Sequence, residues 1–184
     1  MVPTIIAGVA VLLIVVLYNS LVGKKNQVKN AFASTDALLK KRYDLIPNLI
    51  STVKTYMKHE QQTLTEITEM RSRAMSGNLS SNEKVDLDNK LGKAMGGIMV
   101  AVENYPDLKA DQNFIQLQRS LNEIEEQISA ARRNYNASVT DYNNAVEMLP
   151  TSILASFMKY KQKNLFEISE KERQNVNVGD LFKS

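Results

Sequence analysis

The residue types that carry most enzyme chemistry are scarce in this chain of 184 residues. Its single histidine, His59, and its lack of cysteine leave no histidine-pair zinc site, no thiolate metal site and no thiol nucleophile to assemble. No glycine-rich loop precedes a Lys-Ser or Lys-Thr pair, which excludes a phosphate-binding P-loop. We assign His59 and its neighbour Glu60 to the polar face of a helix in preference to proton transfer.

The densest group of carboxylates is also better explained without catalysis. Glu123, Glu125 and Glu126 cluster as a di-iron site would require, but the Glu-x-x-His partners of such sites are missing. A solvated acidic face of a helix accounts for the three residues better. We therefore expect no catalytic residue, no cofactor, no metal and no small-molecule substrate, and we interpret the protein as non-enzymatic.

An uncharged apolar run from Thr4 to Val22 organises the remainder of the chain. Its nineteen residues would span about 28 Å as a helix, close to the ~30 Å hydrocarbon core of a bilayer. A buried core helix would show a polar face, and a cleaved signal peptide would begin with basic residues; the run has neither. We predict an uncleaved transmembrane helix, with residues 1–23 forming a short outside N-terminus and the span.

The residues at the end of the run predict its orientation. Tyr18, Asn19, Lys24 and Lys25 form the predicted membrane exit, where tyrosine suits the interfacial aromatic belt and asparagine could bond to another helix. Because lysines crowd this end, the positive-inside bias places the N-terminus outside and the bulk of the chain in the cytoplasm. The net charge of +3 and the lack of aromatic residues among the basic ones give no support for nucleic-acid binding.

Apolar spacings beyond the exit predict an all-α fold. The transmembrane helix continues into an antiparallel up-and-down bundle of about four helices over residues 24–149, and no strong break precedes Tyr43. Pro47 then removes the amide that would bond back to Tyr43. We favour a reversal of the chain there, with Asp44 as a cap and a second helix that stops at Gly77. A kink in one continuous rod is the alternative.

The second half of the bundle is predicted from caps and from a long repeat. A third helix opens at Ser80 or Ser81, and a fourth runs from a cap at Asp111 to Leu149. The fourth helix carries apolar residues in strict alternation of three and four, which predicts long, coiled-coil-like packing. Residues 150–184 are predicted to form a short helix and an extended or mobile tail that docks at points such as Leu165-Phe166.

Several residues of the bundle are candidate positions for a helix interface. The glycines of the third helix predict close approach of a neighbouring helix, with a flexible hinge as the alternative. Two Tyr-Asn pairs, seven residues apart, belong either to the inner seam of one bundle or to a contact between protomers. The basic residues that end at Arg42 form either a solvated helix end or a docking surface for the acidic fourth helix of a neighbour. The candidates are Arg42, Tyr43, Asp44, Pro47, Gly92, Gly96, Tyr135, Asn136, Tyr142 and Asn143.

Three strings resemble the LemA family of bacterial membrane proteins: LLKKRYDLIPNLISTVKTYMKHE, ENYPDLKADQNFIQLQ and ARRNYNASVTDYNNAVEMLP. The resemblance covers residues 24–60 and 103–149 and includes the anchor, with YNSLV at its end. It implies a single-pass N-terminal anchor in the bacterial cell (inner) membrane and a mainly cytoplasmic bundle of antiparallel helices. It brings no agreed biochemical activity: some relatives are tied to membrane remodelling, and others are encoded near a membrane zinc metalloprotease.

Two functions are compatible with these observations. We favour a structural or scaffolding component of the bacterial membrane that assembles with itself into a homo-oligomer, in keeping with membrane remodelling. The alternative is an adaptor or regulator of a membrane metalloprotease or of another membrane protein. The lipid bilayer is an expected partner in both cases.

Overall fold

The computed structural model describes residues 1–167, and within this range the chain forms helices and no strand. A short 3₁₀ turn, Val102–Asn104, follows the third helix. The predicted all-α fold is confirmed. The helices are α1 Val2–Val53, α2 Gln61–Met75, α3 Ser81–Ala101, α4 Pro106–Ala110, α5 Gln112–Glu147 and α6 Thr151–Phe157.

Helix α1 joins the uncharged run and the bundle in one unbroken element. It has 52 residues and is therefore about 78 Å long. Its first part is exposed except for the partly shielded Leu17, and its buried positions begin at Leu21 and recur along the helix to Val53. The predicted rod through Tyr43 is confirmed, and by length and composition the start of α1 could cross a membrane.

The predicted reversal at Pro47 is wrong, as is the cap at Asp44, because α1 continues through both residues. The chain turns instead between Val53 and Gln61. Proline leaves the carbonyl of Tyr43 without its helical donor, and the Nε of Arg71 in α2 donates a hydrogen bond to that carbonyl at 2.7 Å. A contact between two helices thus supplies the hydrogen bond that the proline removes.

This substitute bond gives a testable coupling. We expect Arg71→Ala to destabilise the protein by about 1–3 kcal/mol, because it leaves a partly buried carbonyl without a donor. In a Pro47→Ala background a helical N–H returns, so the same change should cost much less. Thermal unfolding of the four proteins of this cycle measures the difference, and equal costs in both backgrounds would contradict the pairing.

Helices α1 and α5 pack as a long antiparallel pair. Thr35 lies 3.5 Å from the carbonyl of Ala131, and Arg42 contacts Glu125 at 2.9 Å. Nearer the start of α1, Leu21 shares a buried cluster with Ala145, which is near the end of α5. Later residues of α1 therefore contact earlier residues of α5. This confirms the antiparallel course predicted for the first and fourth long helices.

The two middle helices complete an up-and-down path. Helix α2 returns along α1, as the contact between Arg71 and Tyr43 shows. Helix α3 runs outward again, since its Lys84 contacts Asp36 at 2.8 Å and the later Tyr105 donates to Glu60 at 2.9 Å. Four long helices therefore surround one core, with α6 and the segment after it laid against α5.

Three other predicted helix ends, at Ser80, Asp111 and Gly77, fall where the sequence placed them. Ser80 accepts from the N–H of Glu83 at 3.3 Å, and Glu83 accepts from the N–H of Ser80 at 2.9 Å, which makes a reciprocal capping box. Asp111 accepts from two N–H groups of the first turn of α5. Gly77 has a φ of +76° after α2, as a left-handed stop requires.

The strict repeat predicted for the fourth helix, which is α5 in the structure, holds only in part. Its apolar positions up to Tyr135 are buried except Ala131, which is half-buried. The strict alternation then selects Ser138, but Val139 is buried instead; Tyr142 and Ala145 are buried as the alternation predicts, and Leu149 lies beyond the end of the helix and is exposed. A straight helix has 3.6 residues per turn, so a 3.5-residue pattern drifts by about 20° per heptad. Such a drift accounts for the burial of Val139 in place of Ser138.

Candidate functional site

A buried cluster of charged side chains joins three helices near the middle of the bundle. Asp88 of α3 is fully buried and pairs with Arg42 of α1 and, at 2.7 Å, with Arg132 of α5. Glu125 of α5 bonds to the same two guanidinium groups at 2.9 and 3.2 Å. Tyr43 donates its hydroxyl to Asp88 at 3.3 Å. Two cations and two anions therefore compensate one another inside the bundle.

The surroundings of Arg42 and Tyr43 keep both side chains protonated. Burial by itself would lower the pKa of Arg42, but the neighbouring carboxylates of Asp88 and Glu125 outweigh it, and the pKa is raised. Burial, followed by the charge of Asp88, raises the pKa of the Tyr43 phenol well above its ordinary value. Tyr43 therefore keeps its proton as a donor to Asp88 across the physiological range.

This arrangement favours a structural role over catalysis. Both carboxylates accept from guanidinium groups that never lose their protons, so neither is free to act as a general base or to bind a metal. Within residues 1–167 no group of three or more histidine, aspartate or glutamate side chains is placed to hold a metal ion. The cluster instead fixes how α1, α3 and α5 meet, which is the best-attested use of buried ionic groups.

A second polar site clamps the segment after α6 against α5. The side-chain amide of Asn143 donates to the carbonyl of Lys163 at 3.0 Å and accepts from its N–H at 2.9 Å. Asn136 makes the same pair of bonds with Phe166, both at 2.9 Å. We call Asn136 and Asn143 the clamp asparagines. Each of them satisfies one backbone N–H and one C=O of an extended segment, as a neighbouring strand would.

The tyrosine that precedes each clamp asparagine repeats the pattern. Tyr142 donates to the carbonyl of Lys161, and Tyr135 donates to that of Asn164, both at 3.2 Å. Seven residues of helix advance about 10.5 Å, and three residues of extended chain advance about 10 Å. A heptad step along α5 therefore matches a three-residue step along the segment, and both Tyr-Asn pairs bind it in the same register.

The clamped segment ends beside the charge cluster. Phe166 is buried, and its ring packs against that of Tyr135 in a T-shaped arrangement with the centroids 5.1 Å apart. The guanidinium of Arg132 lies 5.6 Å from the centre of the Phe166 ring, within reach of a cation–π interaction. Burial raises the pKa of Tyr135 to about 12. Arg132 thus belongs to both sites and connects them.

Comparison with known proteins assigns the chain to a family. A sequence model of the LemA family matches residues 31–179. The chain belongs to the LemA family. Protein LemA of Metamycoplasma hominis is 28% identical over 163 residues, which cover 89% of this chain and 74% of that protein. The family match over residues 31–179 takes in both polar sites.

Two magnetosome proteins show a shorter similarity. MamQ 2 of Paramagnetospirillum magneticum is 31% identical over 80 residues, which are 44% of this chain and 29% of that protein. MamQ of Magnetospirillum gryphiswaldense is 32% identical over 79 residues, 43% and 29% of the two chains. The similar part thus amounts to less than a third of each MamQ protein.

The strings that resemble the LemA family supply much of both sites. RYDLIPNL contributes Arg42 and Tyr43 to the charge cluster, and it also contains Pro47, whose missing amide is replaced by the contact from α2. ARRNYNASVTDYNNAVEMLP contributes Arg132 together with the clamp asparagines and their tyrosines. The family resemblance in these strings therefore includes residues that join the helices and hold the tail.

Arg42 and the third-helix glycines do not have the surroundings predicted for them. Arg42 is no solvated helix end, since it is buried and its acidic partners belong to its own chain. The third-helix glycines lack the predicted close neighbour: Arg132 lies 4.0 Å from a Cβ built on Gly92, and no described atom comes within 4 Å at Gly96. At the predicted exit, Tyr18 and Asn19 are exposed, Lys24 is half-buried and Lys25 lies 4.5 Å from the ring of Tyr160.

Sequence reasoning missed Asp88 and Arg132 and assigned Glu125 to a solvated face. A signal for Asp88 was available, because it falls three and seven residues before Leu91 and Met95 on the apolar stripe of α3. Arg42 likewise lies on the apolar stripe of α1. Opposite charges placed on the inward stripes of two predicted helices indicate a buried pair.

Proposed function

We propose that this protein is a non-enzymatic scaffold, anchored by α1 in the bacterial inner membrane, that assembles with copies of itself on the cytoplasmic side. The observation that carries the proposal is the continuity of α1, whose exposed apolar start and buried bundle half form one helix. One continuous helix of this kind links the orientation of the bundle mechanically to that of the membrane-spanning part. The names of the MamQ relatives, which refer to a magnetosome, agree with a structural role.

Two exposed features of the bundle favour assembly. Gly96 and Gly97 leave a smooth surface on α3, with Val100 exposed one turn later, and a helix of a second copy could approach it closely. Lys40 and Lys41 are exposed on α1, while α5 carries exposed acidic residues at 123 and 126. Complementary charges on two faces of one chain allow a head-to-tail contact between copies.

The mass of the protein extracted together with lipid tests the proposal. We expect several copies per particle, and we expect Gly96→Leu with Gly97→Leu to reduce the number, because the added side chains fill the surface where the second helix would lie. Gly96→Ala with Gly97→Ala is the matched control: it raises helix propensity by about 1 kcal/mol per site and should leave the assembly intact.

The result also separates the two functions. A wild-type particle that contains one copy would contradict self-assembly. A single copy that carries one membrane protein in equal amount would favour the alternative, in which the chain is an adaptor for a membrane metalloprotease or another membrane partner. For that alternative we expect binding to be lost when the exposed face of α5 or the tail is altered.

A further inference from the structure

The corner between α5 and α6 exposes more large apolar surface than a water-facing corner of a small bundle should. Leu149 is 75% exposed and Phe157 is 82% exposed. Two further side chains, Met148 and Ile153, are more than half exposed in the same corner. The buried side of α6 is provided by Ala155, with Leu154 packed beside it, whereas Ile153 and Phe157 of this helix point away from the core.

The packing of α5 on α1 places this corner beside the uncharged run. Ala145 and Ala155 form one buried cluster with Leu21, which is the second-to-last residue of the run. Because α5 runs antiparallel to α1 and ends at Glu147, the corner that follows Ala145 lies from Leu21 towards the start of α1. Leu17 is partly shielded, whereas the residues of the run before it are exposed.

Basic side chains surround the corner on the side of the bundle. Lys25 of α1 donates to the Tyr160 hydroxyl at 3.3 Å and lies over its ring, so the start of the clamped segment is at the same height as the predicted membrane exit. Lys159 and Lys161 flank Tyr160 and are exposed. Apolar side chains with lysines just above them are the pattern of an element that lies in an anionic lipid interface.

We propose that the corner from Met148 to Phe157 inserts into the cytoplasmic leaflet as a second membrane contact beside the span. This inference rests on the proposed anchoring of α1. The apolar side chains of the corner lie about 5–10 Å below the headgroup boundary, as in interfacial helices, and the lysines meet the anionic headgroups. Contact at two points on the bilayer fixes the tilt of the bundle, which a single transmembrane helix would leave free.

Site-specific labelling of the full chain tests this contact, and the lack of native cysteine makes it direct. Leu149→Cys, Phe157→Cys, Ile14→Cys and Val100→Cys each receive one fluorophore, in vesicles of phosphatidylcholine and phosphatidylglycerol with brominated acyl chains. We expect the labels at 149 and 157 to lose roughly half of their emission, as the label at 14 does. Val100 is the control, because it is apolar, 72% exposed and near the end of α3. Its label should lose little emission whether that surface faces water or a second copy, since neither carries bromine.

The four labels distinguish the possible failures. If the label at 14 is quenched but those at 149 and 157 respond like that at 100, the anchor stands and the second contact is overturned. If the label at 14 is not quenched, the proposed anchoring itself fails. If the corner labels are shielded from both lipid and aqueous quenchers, a protein surface covers the corner, and insertion into lipid is likewise overturned.

Discussion

Replacement of Asp88 by asparagine is expected to destabilise the bundle by about 3–5 kcal/mol, because it removes one partner of a buried ionic group. Asp88 is fully buried and contacts both Arg42 and Arg132. Asparagine fills the same volume but leaves the two guanidinium groups with only the half-exposed carboxylate of Glu125. An excess positive charge is then held inside the bundle.

Thermal unfolding of the full chain in detergent, followed by circular dichroism, measures this loss. Asp141→Asn is the matched control, since it makes the same chemical change at an exposed position of the neighbouring α5 and should alter stability by no more than about 0.5 kcal/mol. Removing the charges in pairs adds a second test: Arg42→Met combined with Asp88→Leu should cost less than the two single changes together. Equal effects of Asp88→Asn and Asp141→Asn would contradict a stabilising role for the cluster.

Much of the fold could be predicted because its signals are local. The capping box at Ser80, the cap at Asp111 and the left-handed Gly77 each require only residues within one turn. The apolar stripes of α1 and α5 recur at helical spacing and needed no knowledge of their partner. Helix ends and inward faces were therefore accessible from the sequence.

The features that could not be predicted depend on residues far apart in the chain. Whether Pro47 ends a helix depends on a donor for the carbonyl of Tyr43, and that donor, Arg71, comes from another helix. Likewise, the Tyr-Asn repeat indicated an interface, but its occupant proved to be the segment that follows α6. Nothing local to α5 distinguishes side chains that bind an extended chain from those that bind a neighbouring helix.

Removal of both clamp asparagines is expected to release the segment from Lys161 to Phe166. Asn136→Ala with Asn143→Ala deletes four hydrogen bonds to the backbone of residues 163 and 166, a net loss of about 2–6 kcal/mol. Hydrogen exchange measures the release, because the N–H groups of Lys163 and Phe166 are themselves donors in these bonds. We expect their exchange to accelerate by about a hundredfold or more.

Two further variants separate this clamp from the packing of Phe166. Asn144→Ala is the control: it is the adjacent, exposed asparagine of α5, and the protection of the segment should not change. Asn136→Asp retains the acceptor for the N–H of Phe166 but cannot donate to its carbonyl, so exchange at residue 166 should accelerate less than in the double alanine variant, and residue 163 should stay protected. Slow exchange at both positions in the double alanine variant would mean that the other contacts hold the segment, among them the buried Phe166 ring and the bonds of Asn164 to α3. Because the clamp bonds reach only backbone atoms, replacing the side chain of Lys163 should leave them intact, whereas replacing the buried ring of Phe166 should weaken the docking of the segment.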